Sequence, residues 1–136
     1  MTATPSFCNA LRAYLTEALP SLPVLPSVST GEVNPAAPYA VLTATAEQEL
    51  VRGNHTWELG ITLELHANAH ETGSGEQQAL FHSLCAAVQN PTLADRLNEA
   101  AEDFYLYSFS LQGVDEPLVQ DNTFIQAARC RAVIQF

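Results

Sequence analysis

Few residues in this sequence could do chemistry, and their spacing is mostly wrong for it. His66 and His70 stand four apart, with Glu64 two residues before the first. On a helix that spacing would turn both imidazoles toward one metal ion. Here His66 ends a strand-like run and His70 follows in a loop-like one, so solvated polar residues are the simpler reading. Cys85 and His82 are three apart in a helical pattern and could touch, as a thiol nucleophile and its base must. Cys85 falls on the apolar stripe of that pattern, which favours a buried thiol. No Gly-x-Ser-x-Gly elbow occurs. Gly73-Ser74-Gly75 opens a helix, where anions can bind, but a dinucleotide fingerprint needs a third glycine and a preceding buried strand. A phosphate-loop lysine cannot exist in a chain with no lysine. Glu58 and Glu64 share a strand face about 20 Å apart, too far for a glycosidase carboxylate pair. Trp57, Tyr105, Tyr107 and Phe109 could stack on bases or sugars, yet their alternation assigns them to sheet faces, so core packing is expected. No catalytic, metal-ligating or cofactor-binding residue is assigned, and the expectation is a protein that is not an enzyme.

The elements around these residues are more legible. Phe7, Leu11, Tyr14, Leu15, Ala18 and Leu19 recur at helical spacing, predicting a helix over Ser6–Leu19 that Thr4 or Ser6 caps and Pro5 starts. Pro20, Pro23 and Pro26 end it, and residues 20–38 read as an extended connector with at most a short strand near Val24–Val28. Tyr39–Val51 then reads as a strand, Gly53-Asn54 as a turn able to take positive φ, and Trp57–Leu65 as the return strand of a hairpin. In that return strand Trp57, Leu59, Ile61, Leu63 and Leu65 alternate with Glu58, Gly60, Thr62 and Glu64, the period of a strand with one wet face. Its length, roughly 30 Å at about 3.3 Å per residue, suggests a hairpin projecting beyond the body. Ser74 with Gln77 forms a capping box for a helix reaching Gln89. Asn90-Pro91 introduces a second, shorter helix through Ala101. Strands follow at Phe104–Leu111 and Thr123–Phe136, the latter with Arg129 and Arg131 on the face opposite its apolar residues, and a polar, acidic loop spans Gln112–Asn122. The sum is one α+β domain over residues 1–136. It has a mixed or antiparallel sheet of about four strands with helices on one face, ordered helix, hairpin, helix, helix, hairpin.

Composition narrows the partners. The chain has 136 residues, the size of one domain, with 5 basic and 15 acidic residues and a net charge of −10. Five scattered arginines cannot supply the clustered cations that phosphate binding needs, so direct nucleic-acid binding is not expected. No apolar run reaches the roughly 18 residues of a bilayer span, and Met1–Pro5 lacks the basic patch and apolar block of a signal peptide. Cys8, Cys85 and Cys130 are odd in number, widely spaced and set in apolar stripes, so they read as buried free thiols.

The layout as a whole resembles the tail-terminator or tail-completion proteins of long-tailed bacteriophages, including the tail-to-head joining group. The likeness rests on an amphipathic N-terminal helix, a Pro-rich segment leading into Ala37-Pro38-Tyr39-Ala40-Val41, and the long alternating strand through Ala67. It continues with the helix containing Glu76-Gln77-Gln78-Ala79-Leu80-Phe81-His82-Ser83-Leu84 and a last strand, Ala128–Phe136. The resemblance implies a virion protein of the tail or neck, assembled in the host cytoplasm and needing no cofactor. Copies would form a ring, commonly a hexamer, at the head-proximal end of the tail tube. Its partners would be itself, the tube protein and the head-tail connector, with DNA passing unbound through the bore. It also implies a heterologous subunit contact, for which the hairpin residues Glu47, Glu49, Arg52 and Asn54 are candidates, Arg52 as an intersubunit ion pair. An acidic bore would repel phosphates; Glu58, Glu64, Asp115, Glu116 and Asp121 are the candidate lining, with Glu47 and Glu49 as further possibilities. The alternatives are another neck or minor tail component, or an acidic DNA mimic that inhibits a basic host protein.

Overall fold

Strict alternation in residues 57–67 demands a sheet with one buried face, and that sheet organises the molecule. The computed structural model describes residues 3–26, 38–68, 74–120 and 123–136. The elements are α1 (Ala3–Ala18), β1 (Val24–Pro26), β2 (Tyr39–Val51), β3 (Thr56–Asn68), α2 (Ser74–Val88), α3 (Leu93–Ala100), β4 (Tyr105–Val114), β5 (Leu118–Gln120) and β6 (Thr123–Gln135). The fold is α+β, and among the described residues its sheet has six strands where about four were expected. The order is β1-β2-β3-β6-β4, with β5 also paired to β6. Every pairing is antiparallel except the short parallel contact of β1 with Ala40–Leu42, so the sheet is mixed.

The short strand expected near Val24–Val28 is β1, of which 27 and 28 lie outside the described residues, and β5 alone went unforeseen. Pro26 ends β1, which suits an edge strand that donates no outward hydrogen bond. The segment read as an acidic loop, 112–122, instead extends β4 to Val114 and contributes β5 through Leu118-Val119-Gln120; Asp121 and Asn122 lie outside the described residues. The hairpin of β2 and β3 does not project. β6 pairs with β3 along its whole length, from Thr56 opposite Gln135 to Asn68 opposite Thr123. The tip is only the turn 52–55, where Gly53 takes φ 81° and His55, rather than Asn54, takes φ 60°.

On one face Leu59, Ile61, Leu63, Leu65 and Ala67 of β3 lie beside Ala128, Cys130, Ala132 and Ile134 of β6, all buried. The three helices cover that face with Phe7, Leu11 and Leu15, with Phe81, Leu84 and Val88, and with Leu93 and Leu97 in one continuous core. Polar bonds fix the layer. Tyr14 Oη donates to the Ala87 carbonyl across α1 and α2 at 2.9 Å. Buried Gln77 donates Nε2 to the Asn68 carbonyl at 3.1 Å, tying the start of α2 to the end of β3. Ser6, expected as a cap, instead donates to Asp103 Oδ2 at 2.8 Å. Asn90 Oδ1 accepts from the Thr92 backbone N–H at 2.9 Å and starts the turn into α3.

Leu63 is fully buried at the centre of the sheet. Leu63→Ala is expected to lower unfolding stability by about 2–5 kcal/mol, read from denaturant midpoints, because a cavity remains where the side chain was. A loss below about 1 kcal/mol would contradict the central position of β3.

Candidate functional site

Among the described residues nothing covers the face of the sheet opposite the helices. β3 directs Glu58, Gly60, Thr62, Glu64 and His66 to it, all half-buried, and β6 directs Arg129 and Arg131 there, both exposed. Gly60 is the register partner of Arg131 and Gly113 that of Arg129. With no side chain at either glycine, the arginines lie across neighbouring strands and bound a shallow groove of about 390 Å³.

The charges on this face are paired. Arg131 grips Glu58 with both ends of its fork, Nε to Oε1 at 2.9 Å and Nη2 to Oε2 at 3.0 Å, and the carboxylate in turn raises the arginine's pKa through hydrogen bonding and charge. Arg129 Nη2 reaches Asp115 Oδ1 at 3.0 Å. Glu64 Oε1 contacts His66 Nε2 at 2.5 Å, and the His66 ring stacks on Tyr39 at 4.8 Å. Glu58 and Asp115, proposed as free acids lining a bore, are therefore neutralised by arginine. Glu116 is exposed, and Asp121 lies outside the described residues. Among the described residues no three His, Cys, Asp or Glu side chains gather as metal ligands; His70, the second half of the suggested pair, lies outside them.

The tip candidates divide. Glu49 Oε1 accepts from the Gly53 backbone N–H at 3.1 Å, and Asn54 Oδ1 accepts from Thr56 Oγ1 at 2.6 Å while its carbonyl accepts from Gln135 Nε2 at 3.4 Å. These two serve the turn itself. Arg52 is exposed and makes no hydrogen bond or ion pair among the described residues. Glu47 stands in register opposite Leu59.

What the sequence reading missed is the other edge. Tyr105 and Tyr107 were expected in the core, but are 53% and 55% exposed. Leu106 is the residue that points inward there, and the bulge between Leu106 and Ser108 returns Phe109 to the buried face while both tyrosine rings lie outside, edge to face at 5.1 Å, with Tyr107 Oη donating to Gln135 Oε1. Phe109 does pack inward, 6.3 Å from Phe7, and Trp57 is half-buried against the core. Val114, Leu118 and Val119 are 46%, 55% and 63% exposed, so five of the seven exposed large apolar residues among those described belong to β4 and β5. One signal was available: Tyr105–Val114 contains no charged residue, whereas exposed edges are usually guarded by charge.

His82 and Cys85 line a groove of about 460 Å³ between α2 and β4, with Phe81, Leu111, Val114 and Pro117. No hydrogen bond joins the pair, and burial pushes the Cys85 thiol up, away from the thiolate a nucleophile needs. Cys130 is pushed up to about 12, chiefly by burial and further by Cys85.

No protein-family model matches this sequence, and no curated protein matches it. A solved structure is similar with a TM-score of 0.47 and 12% identity over 94% of this chain and 95% of that one. A likeness of that degree carries no argument.

The raised thiol makes stability depend on pH. Below the ordinary thiol value both folded and unfolded chains hold the Cys130 proton, and its contribution is intact; above it the unfolded chain ionises first, and stability falls as pH climbs toward about 12. Buried Tyr14 and Tyr39 act in the same sense. Between about pH 8 and about pH 10.5 the folded protein should lose on the order of 2 kcal/mol through this thiol, and Cys130→Ala should lose correspondingly less. Equal pH slopes in urea melts of the two proteins would rule the thiol out.

Proposed function

We propose that this protein is a ring-forming structural component of a phage tail, ending the tail tube at its head-proximal side and joining it to the head. The observation that supports this most is the pair of open sheet edges on opposite sides of one body. On one side β2 has no outer partner from Thr43 to Val51 among the described residues, because β1 covers only Ala40–Leu42. On the other, β4 and β5 expose an apolar, largely uncharged edge. A closed ring needs two different patches that fit one another, one on each flank, and tyrosines at the centre of such a patch are typical anchors.

The bore reading changes in one respect. If the open sheet face lines the bore, its paired arginines and carboxylates would present a balanced surface, while Asp95, Glu99, Glu102 and Asp103 carry exposed negative charge on and after α3. Balanced ion pairs still leave no free cluster of cations to hold phosphates.

The reading is tested by solution mass and by tube capping. Light scattering should give a mass near six times the 14.7 kDa of one chain, and the protein added to polymerising tubes should halt growth and remain at one end. Binding to heads and not to tubes would identify another neck component, and salt-sensitive capture of a basic protein by a monomer would identify a DNA mimic. Tyr107→Asp should retain the circular dichroism of the parent and shift the mass toward one chain, because a charge would enter an uncharged edge. An unchanged mass would remove β4 from the contact.

A further inference from the structure

We infer that β4 of one copy pairs antiparallel with β2 of the next, Tyr107–Gly113 against Thr43–Glu49, continuing the sheet around the ring; this rests on the ring reading above. Strand direction permits it. β2, β3, β6 and β4 reverse at every step, so the two outermost of these strands run oppositely. A second copy added by a rotation that preserves strand direction brings its β2 antiparallel to β4.

The two free stretches also lie at the same height. Across the sheet Thr43 is level with Thr62, Arg129 and Gly113, and Val51 is level with Thr56, Gln135 and Tyr105. Between those levels β3 uses the seven residues 56–62 and β6 the seven residues 129–135, whereas β2 uses the nine residues 43–51 and β4 the nine residues 105–113. The excess comes from bulges at Thr45 and Leu50 in β2 and at Tyr107 and Gln112 in β4, five residues apart in each. A regular strand laid on either edge would lose register at each bulge. Two strands with the same excess over the same span keep it, and Gln48 then faces Ser108.

Both stretches have defined ends. β1 closes the edge of β2 before Thr43. Asn98 closes the edge of β4 at Leu106: the Leu106 N–H donates to Asn98 Oδ1 at 2.6 Å and Asn98 Nδ2 donates to the Leu106 carbonyl at 3.0 Å, so the outward peptide groups of that residue are spent. Charge selects the partner. Pairing β2 with another β2 would bring Glu47 and Glu49 of two copies together, whereas β4 carries no charge to oppose them.

The test is a disulfide across the inferred contact. Gln48 and Ser108 are exposed, on the open face and level with one another, at the separation where opposed β-carbons can be bridged. The full chain carrying both Gln48→Cys and Ser108→Cys, oxidised with oxidised glutathione, should give a ladder of covalent multimers ending in one closed species, lost on reduction, while each single variant gives none. Dimers from Ser108→Cys alone would mean β4 pairs with β4 and would overturn the inference. An assembled mass by light scattering without a ladder would overturn the pairing and leave the ring reading standing. A protein that stays one chain in mass, with no ladder, would overturn both.

Discussion

The antiparallel pairing of β3 with β6 is the constraint on which the rest of the molecule depends. It joins segments far apart in the chain, residue for residue over thirteen positions, and it creates the buried apolar strip that the helices cover. Because β6 enters between β3 and β4, both central strands are paired on each side, and every unpaired peptide group in the long strands is displaced to β2 and β4. The two open edges thus follow from the middle of the sheet. Loop closure over so long a separation is unfavourable until the apolar strip forms, so strand pairing and helix docking must be gained together.

The helix layer and the sheet face divide the charge between them. Of five arginines, Arg129 and Arg131 sit on the open face with acidic partners, and Arg96 lies 3.9 Å from Glu17 between α3 and α1. Exposed pairs of this kind contribute little to stability. Their effect is on potential: the open face approaches neutrality, and the surplus of acid is left largely to the helices, the turns and the hairpin. A net charge of −10 is therefore not spread evenly, and a partner approaching the sheet meets a different surface from one approaching α3.

Much of this was legible in the residues. The period-two run through Leu59, Ile61, Leu63 and Leu65 identified β3 and its buried face, and the helical stripes of Phe7–Leu15 and Leu80–Val88 identified α1 and α2. The positive φ at Gly53 was anticipated, as were the arginines on the wet face of β6. What could not be read was pairing between distant segments, since the register of β6 beside β3 depends on which strip of side chains it completes and not on local preference. Bulges were equally silent. Tyr107 interrupts β4 without a glycine or proline to announce it, so Phe109 faces the core while the two tyrosines assigned with it lie outside. The carboxylates Glu58 and Asp115 looked free because their arginines lie 73 and 14 positions away in sequence, near only after folding.

The chain has a single tryptophan, and the fold sets it where the hairpin turn meets the C-terminal strand. Trp57 lies 6.3 Å from Phe136, which lies 5.7 Å from His55, and its indole N–H is enclosed with no acceptor among the described residues. A lone indole so situated is an optical label already present in the molecule. Its emission colour follows the wetness of that corner alone, with no dye or substitution needed.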